Sequence, residues 1–335
     1  MIDLDAERER LLDFARGSRH PKGGFAWLRN DGSPDLDRPR ELWINARMTH
    51  VFGQAQDEEL TGWGLEALRG AFRDREHGGW FSQAGVPGEK SCYDHAFVVL
   101  AAASAGDREL LDEALEVLDT RFWEKGAGAL IDKRSRDWSW IEPYRGANAN
   151  MHGVEALIAA GHRDRAARIA QRFVGGWRVV EHFDAEWRPQ FDYNRDDRAH
   201  RFRPYGVTPG HGFEWARLAF GLGFEEEARR LFDGAAREGW DGSGFVYTVD
   251  WDGRPVVRDH LSWVLCEAIA AAAVLGEHDL ERQWWTLAEE VFVDREGGGW
   301  WMACDPDNRP SSEVWDGKPD VYHALGAIAA SSGRL

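Results

Sequence analysis

Two kinds of apolar pattern alternate along this chain. One is a long stretch rich in alanine and leucine, as in VEALIAAGHRDRAARIAQRFV (154–174) and CEAIAAAAVLGEHDLERQWWTLAEEVF (266–292). Apolar residues at helical spacing predict α-helices, and the interior Gly or Gly-Glu-His break predicts that each stretch folds as a helical hairpin. The other is a short segment in which glycines precede an aromatic residue, which is typical of a turn or short strand between helices.

The short segments recur with a fixed period. DREHGGWF (74–81) returns almost unchanged as DREGGGWW (294–301), and weaker copies are HPKGGFAW (20–27), EKGAGALI (124–131) and DGSGFVYT (241–248). DAEWRPQF (184–191) occupies the remaining slot without the glycines. The spacing is roughly 55 residues, which gives six helical hairpins. No polar capping repeat is visible, so closure is favoured over an open solenoid. The pattern predicts an all-α (α/α)6 barrel, one domain over residues 1–335.

A histidine stands near the start of the second, more apolar helix of each repeat. These six are His50, His95, His152, His211, His260 and His323. In a closed ring the inner helices begin at the same end, so we expect all six histidines near one rim. The alternative is that the repeat copies its histidine as a cap or a core group, which explains some of them more readily than all six.

Composition narrows the classes of partner. A net charge of −17 argues against nucleic acid and anionic membranes, no apolar run reaches membrane-spanning length, and the first residues lack the apolar centre of a signal peptide. Cys92, Cys266 and Cys304 are too widely spaced for a disulfide framework or a zinc site. Eighteen tryptophans suit the C–H faces and hydroxyls of sugars, although many are expected in the core. We expect a cytoplasmic protein, monomeric or homodimeric.

The histidines suggest acid–base chemistry. An imidazole at a helix N-terminus feels the positive end of the dipole, which favours the neutral form and keeps a base available. Two such rings across an aromatic-lined cavity suit proton abstraction and return beside a carbonyl. The developing enediolate oxygen then needs a positive partner, for which Arg47, Arg145 and Arg203 are candidates, each upstream of a histidine. A structural role is the more natural reading of Arg145.

Other chemistries leave weaker signals. GVPGEKS (85–91) has the wrong Gly-to-Lys spacing for a phosphate-binding loop. Three imidazoles suffice for a catalytic metal, but the histidines show no fixed short spacing. A glycoside hydrolase needs two carboxylates in its cavity, and the only obvious acids near the inner-helix starts are Asp94, Glu214 and Asp259. A sugar-binding protein without activity is the remaining alternative class.

Six motifs follow one another in order along the chain. They are LWINARMTHVF (42–52), YDHAFVVLAAA (93–103), RGANANMHGVEA (145–156), FRPYGVTPGHGFEWARL (202–218), WVLCEAIAAA (263–272) and DVYHALGA (320–327). Together they resemble the N-acylglucosamine 2-epimerase superfamily, which also contains cellobiose 2-epimerases and the mannose and sulfoquinovose isomerases. The resemblance covers most of the chain and implies an (α/α)6 barrel with no metal or redox cofactor.

The resemblance also assigns roles to individual residues. The acid/base pair of the family falls on His211 and His323, whereas His50, His95 and His260 become structural. Arg203 is carried over although Arg201 lies only two residues away. The positions implied for substrate binding are Arg47, His152, Glu214, Arg203, Trp43 and Trp263.

These roles predict a cofactor-independent aldose–ketose isomerase, interconverting D-mannose and D-fructose through a cis-enediol(ate). His323 would move the proton between C2 and C1, and His211, oriented by Glu214, would act at the ring and carbonyl oxygens while Arg47 stabilises the enediolate. The alternative is a sugar 2-epimerase of the mannose/glucose, N-acylglucosamine or cellobiose type, because the same pair serves both reactions. The short chain fits a monosaccharide, and no added basic cluster favours a sulfonated sugar.

Overall fold

The computed structural model describes residues 2–334, and α-helices dominate it. Two π-helical turns, Leu118–Phe122 and Ala288–Phe292, prolong the fifth and the eleventh helix. In this part of the chain the α-helices are α1 (Leu4–Arg16), α2 (Leu42–Gln54), α3 (Glu58–Arg69), α4 (Cys92–Ser104), α5 (Arg108–Val117), α6 (Ala147–Ala159), α7 (Arg163–Phe173), α8 (Pro209–Gly221), α9 (Glu225–Gly239), α10 (Ser262–Leu275), α11 (His278–Leu287) and α12 (Tyr322–Ser331).

The strands are short and lie between helices. They are β1 (Trp27–Leu28), β2 (Pro34–Asp35), β3 (Lys90–Ser91), β4 (Trp123–Glu124), β5 (Ala129–Leu130), β6 (Lys133–Arg134), β7 (Arg145–Gly146), β8 (His182–Phe183), β9 (Val246–Val249), β10 (Pro255–Leu261) and β11 (Ala303–Cys304). All pairings are antiparallel: β1 with β2, β3 with β6, β4 with β5, β7 with β8, and β10 between β9 and β11.

Six helices form a closed inner ring. α2, α4, α6, α8, α10 and α12 contact one another in that order, and α12 also contacts α2. Each of α3, α5, α7, α9 and α11 packs outside against the inner helix that precedes it. The predicted (α/α)6 barrel is therefore confirmed.

The sixth helix pair differs from the prediction, because it is not a hairpin. The last inner helix, α12, has no helix after it in the described chain, and its outer partner is α1 from the other end of the sequence. An ion pair of 2.7 Å between Arg334 and Asp5 joins the same two ends. Five hairpins are thus continuous, and the ring is completed by a contact between the two ends of the chain.

Inner and outer helices differ in how many faces they bury. In α2 every residue from Leu42 to Phe52 is buried, because the helix has a neighbour on either side and α3 behind it. In the outer helix α7 the buried residues are Ala166, Ile169, Ala170 and Phe173. That spacing is the single apolar stripe of an amphipathic helix, so the sequence pattern separates the two layers.

The corner between inner and outer helix is built alike in the five hairpins. A residue with left-handed φ follows each inner helix: Gln56 (58°), Gly106 (67°), Gly161 (81°), Gly223 (89°) and Gly276 (76°). Glycine adopts this conformation without the steric cost of a Cβ atom, and it ends the helix. In two corners an aspartate, Asp57 or Asp107, then caps the outer helix by accepting a backbone N–H hydrogen bond.

The six recurring segments form tight backbone turns at the other end of the helices. In or beside each segment two residues pair in antiparallel orientation, and these six pairs recur along the chain at about the predicted period. The paired residues are Arg19 with Phe25, Arg73 with Trp80, Trp123 with Leu130, Phe183 with Pro189, Trp240 with Phe245, and Val293 with Trp300.

The prediction that all six histidines open their inner helix is wrong for three of them. Those within the first four helical residues are His95, His211 and His323. His50 is the ninth residue of α2 and bonds Ser104 at the far end of α4, so it does not lie at the rim. His152 is the sixth residue of α6, and His260 belongs to strand β10. Histidines at equivalent places in the six motifs therefore lie at different positions relative to the start of their helix.

One large apolar cluster runs through the ring and contains buried residues from Leu11 to Ile328. Within residues 2–334 no helix is both long and apolar enough to cross a membrane. The single domain over 1–335 stays a prediction, and its terminal positions, Met1 and Leu335, lie outside the described residues.

Two glycines of α3 test the packing between layers. A Cβ atom at Gly64 would lie 2.1 Å from Thr49 Oγ1, whereas a Cβ atom at Gly62 meets nothing within 4 Å. We expect Gly64→Ala to lower the free energy of unfolding by about 1–3 kcal/mol through overpacking. Gly62→Ala, its control, should raise that free energy by up to about 1 kcal/mol through helix propensity. Urea denaturation measures both, and equal effects would contradict the close approach of α3 to α2.

Candidate active site

A cavity opens at the rim where the inner helices begin. It holds about 50 Å³ and adjoins a second cavity of about 270 Å³, with which it shares Trp43, Tyr93, Asn148 and Phe202. We call the smaller one the central cavity, because all six inner helices meet around it. Its lining consists of Trp43, Arg47, Tyr93, Asn148, His152, Arg201, Phe202, His211, Glu214, Tyr247, Trp263, Met302, Trp315 and His323.

The repeat places the lining in tiers. The second residue of five inner helices lines the cavity, namely Trp43, Tyr93, Asn148, Trp263 and His323. In α8 this position is Gly210, where a Cβ atom would lie 2.4 Å from the Trp263 ring, and the next residue, His211, faces the cavity instead. One turn further along their helices stand Arg47, His152 and Glu214. What repeats around the site is therefore the position of the lining residue in its helix, and the residue type differs from helix to helix.

Of the three histidines that line the cavity, His211 and His323 lie at the rim, each with one ring nitrogen bonded to a glutamate. His211 Nδ1 lies 2.9 Å from Glu181 Oε2, and His323 Nδ1 lies 2.8 Å from Glu267 Oε1. The Trp263 ring stands between them, with centroids 5.4 Å from His211 and 5.6 Å from His323. A carboxylate at Nδ1 favours the tautomer with a proton there and leaves the Nε2 lone pair as a base. The predicted acid/base residues therefore flank one tryptophan ring, and each has a glutamate at Nδ1.

The predicted partnership of Glu214 with His211 is not what the structure shows. Glu181 occupies that role, and Glu214 Oε1 lies instead 3.6 Å from His152 Nδ1. Among the described residues neither Glu214 oxygen has a hydrogen-bond partner. Burial, together with the charges of Glu267 and Glu155, raises the pKa of Glu214 well above its ordinary value. The surroundings of Glu214 therefore favour its protonated form.

His152 belongs to the tier below the rim. Its Nδ1 lies 3.3 Å from Glu155 Oε2, and the Tyr322 hydroxyl donates to the same oxygen. Burial lowers the pKa of His152 to about 4, so the ring is neutral near pH 7. This neutrality comes from desolvation, since His152 is not at the end of its helix.

Arg47 supplies a fixed positive charge to the cavity wall. Its guanidinium donates to Asp320 at 3.3 Å and to the Tyr93 hydroxyl at 3.0 Å. The Phe97 and Tyr322 rings flank it at 4.5 and 4.6 Å. Because Nε has no partner among the described residues, this buried arginine keeps capacity for a further acceptor.

The structure separates the two arginines that the sequence left close. Arg201 lines the central cavity and pairs with Asp316 at 2.7 Å. Arg203, the residue expected at the site, lies outside it: it pairs with Glu142 at 2.8 Å and stacks on Tyr144 in the second cavity. The two side chains leave an irregular loop in different directions, which residue spacing alone does not reveal.

None of the remaining candidates lines the central cavity. Arg145 is buried, pairs with Glu124 and donates to two backbone carbonyls. His50 bonds Ser104, and His260 bonds Asn308 and Asp241. His95 accepts a hydrogen bond from the Trp80 backbone N–H and bonds the Ser91 carbonyl.

The sequence analysis missed Glu181, Glu267 and Arg217, which contact predicted residues of the site. Glu267 left a signal because it is a charge within the apolar helix α10, and Arg217 left one because it follows His211 and Glu214 at intervals of three. Glu181 left none. It precedes strand β8, and only the fold brings it to His211.

The same glutamates define where a cation would fit. Among residues 2–334 two groups have suitable spacing, His152 with Glu155 and Glu214, and Glu214 with Glu267 and His323. The Arg217 guanidinium already lies between these carboxylates, 3.0 Å from Glu267 and 3.8 Å from Glu214. It provides the positive charge that such a cluster needs.

Asp94, in the wall of the second cavity, offers a test of burial. Burial raises its pKa from 3.8 to about 7. Between pH 3.8 and pH 7 the Asp94 carboxyl is protonated in the folded chain and ionised in the unfolded chain. The contribution of Asp94 to the free energy of unfolding is therefore fully present below pH 3.8 and is lost as the pH rises to about 7. We expect Asp94→Asn to exceed the wild type in unfolding free energy by about 1–3 kcal/mol at pH 8, and to match it at pH 4.

Asp137 is the matched control for this measurement. It is exposed, and hydrogen bonds from Ser135 and Ser139 hold its pKa below the ordinary value. Asp137→Asn should therefore give no stabilisation at pH 8. Thermal or urea unfolding at both pH values checks the pair, and an equal gain of Asp94→Asn at pH 4 and pH 8 would show that charge is not its cause.

Comparison with known proteins agrees with this geometry. A D-mannose isomerase of Thermobifida fusca is 45% identical, over 97% of this chain and 92% of that protein. A D-mannose isomerase of Pseudomonas cannabina pv. alisalensis is 40% identical, over 97% and 90%. A crystal structure of a D-mannose isomerase superposes with a TM-score of 0.91 at 29% identity, covering 99% of this chain and 97% of that one. The profile of the N-acylglucosamine 2-epimerase (GlcNAc 2-epimerase) family matches residues 23–327, and the chain belongs to this family.

Proposed function

We propose that this protein is a cofactor-independent aldose–ketose isomerase that interconverts D-mannose and D-fructose. The observation that carries the proposal is the pair of histidines on either side of Trp263, each with Nδ1 bound to a glutamate. The choice of sugar is supported by relatives at 45% and 40% identity that bear the name D-mannose isomerase.

The reaction requires one hydrogen to move between neighbouring carbons. In the direction from mannose, His323 removes the C2 proton to give the cis-enediol(ate) and returns a proton to C1. A proton reaches O1 and one leaves O2, so the C1 carbonyl becomes a hydroxyl and the C2 hydroxyl becomes a carbonyl. His211 serves these oxygens and ring opening, while Arg47 stabilises the negative charge that builds up on them.

Further residues would hold the sugar in place. We assign substrate binding to His152, Glu214, Trp43 and Trp263, and we add Arg201, which lines the central cavity where Arg203 does not.

The 2-epimerase reaction is the second candidate. It shares the enediol(ate) and differs only in returning the proton to the opposite face of C2, and the family itself is named for such an activity. The two histidines on either side of Trp263 permit this outcome as well. The products formed from mannose separate the two, since an isomerase gives fructose and an epimerase gives glucose.

For its setting, we propose a cytoplasmic enzyme, monomeric or homodimeric, whose partner is a small sugar. The three cysteines are free and buried, which fits a reducing compartment. The net charge of −17 fits a neutral small molecule better than a polyanion.

The catalytic pair is tested by product analysis from pure D-mannose, with a metal chelator present. We expect the wild type to accumulate fructose, and His211→Ala and His323→Ala each to lose on the order of 10²–10⁴ in kcat, the range for a lost acid/base group. His95→Ala is the control, because its ring bonds backbone groups away from the cavity, and it should lower stability more than kcat.

Two results would contradict the proposal. Accumulation of glucose without fructose would establish the epimerase instead. Wild-type turnover by His323→Ala would remove that residue from the proton transfer, whatever the product.

A further inference from the structure

Three glutamates converge at the inner end of the central cavity, which Glu214 lines, and each comes from a different one of three neighbouring inner helices. They are Glu155 on α6, Glu214 on α8 and Glu267 on α10. Their side chains are 15%, 1% and 4% exposed, so water screens their mutual repulsion poorly. A cluster of this kind needs a positive partner or additional protons to persist.

A single arginine lies among the three. Arg217 Nε donates to Glu267 Oε2 at 3.0 Å, and a terminal guanidinium nitrogen lies 3.6 Å from Glu155 Oε1 and 3.8 Å from Glu214 Oε1. Arg217 is only 13% exposed and does not line the central cavity. It therefore contacts the carboxylates without reaching the place where a sugar would lie.

Two of these carboxylates use their second oxygen for a histidine. Glu267 bonds Arg217 through Oε2 and His323 Nδ1 through Oε1. Glu155 faces Arg217 through Oε1 and His152 Nδ1 through Oε2. One guanidinium thus connects, through two carboxylates, to two of the histidines that line the cavity.

The electrostatics agree with this arrangement. Burial by itself would raise the pKa of Glu267, but the charge of Arg217 and the hydrogen bond from His323 hold it below the ordinary value. Glu155 behaves in the same way, with His152 and Arg217 opposing burial. Glu214 has no such hydrogen bond, and its pKa is raised. The arginine thus favours the ionised form of Glu267 directly and that of Glu155 together with His152.

We propose that Arg217 is a positioning residue of this active site. It holds Glu267 and Glu155 as carboxylates, and these fix the ring orientation and tautomer of His323 and His152, with Nδ1 protonated and Nε2 turned to the substrate. The inference deepens the proposed isomerase function and rests on it for the meaning of the histidines. Without Arg217 the carboxylates would take up protons or separate, and the rings would lose their fixed acceptor.

The kinetic test compares Arg217→Ala and Arg217→Lys with the wild type on D-mannose. We expect Arg217→Ala to lose about 10²-fold in kcat, the lower part of the range for acid–base groups, with a smaller rise in KM because Arg217 also holds Glu155 next to His152. Arg217→Lys should lose about tenfold, because one ammonium cannot bridge two carboxylates as the planar guanidinium does. A loss confined to KM would overturn the proposal, since it would place Arg217 in substrate binding.

Chemical rescue distinguishes positioning from a general structural role. Guanidinium at low, non-denaturing concentration should restore part of the kcat of Arg217→Ala, whereas sodium chloride at the same ionic strength should not. Arg145→Ala is the matched control, because Arg145 is also a buried arginine paired with a glutamate, but away from the cavity. Its turnover should not respond to guanidinium. Absence of rescue in an Arg217→Ala protein that keeps its helical circular dichroism would overturn the proposal.

Nitrogen NMR of the histidine rings gives a readout that does not depend on turnover. With His323 assigned through His323→Gln, the wild type and Arg145→Ala should show the Nδ1–H tautomer, and Arg217→Ala and Arg217→Lys should show a mixture or a different form. An unchanged His323 signal in both Arg217 variants would overturn the proposal. Failure of the wild type to make fructose would instead contradict the proposed function and leave this measurement valid.

Discussion

Closure of the ring puts six short inner helices side by side, so that each has a neighbour on either side and an outer helix behind it. A polar side chain on such a helix has only two favourable places, the central cavity or contact with another buried polar group. Both occur here. Trp43, His211 and His323 face the cavity, whereas Glu155 and Glu267 lie below it and bond other side chains. The site is therefore a consequence of packing helices that have almost no solvent-facing side.

The same confinement makes every buried charge depend on its partner. Arg47 pairs with Asp320, and Arg217 with Glu267, across neighbouring inner helices or the segment that begins one. In each case both members are mostly shielded from water, so removing one would leave the other uncompensated. Through Glu267 this dependence extends to His323, whose Nδ1 bonds the same carboxylate. The closed barrel brings the two members of each ion pair together from separate segments of the chain.

Much of the fold was accessible from periodicity alone. The period of the glycine-aromatic segments and the breaks inside the apolar stretches predicted six helix pairs, and the apolar content separated inner from outer helices. Spacing along one helix also placed His211 and Glu214 on the same side of the cavity. The errors arose where side-chain direction depends on something other than helical spacing. Arg201 and Arg203 leave a loop without regular geometry, and His260 precedes α10 as part of a strand.

The sequence by itself determined the architecture, because repeat length and helical periodicity are local properties of the chain. The resemblance of its motifs to the family pointed to His211 and His323, and both line the central cavity. Only the tertiary structure decided which carboxylate meets which histidine. Glu181 reaches His211 from the preceding β8 segment, Glu267 reaches His323 from a different helix, and α1 completes the pair of α12. These contacts form because the closed ring brings distant segments together. The spacing of residues within one segment does not predict them.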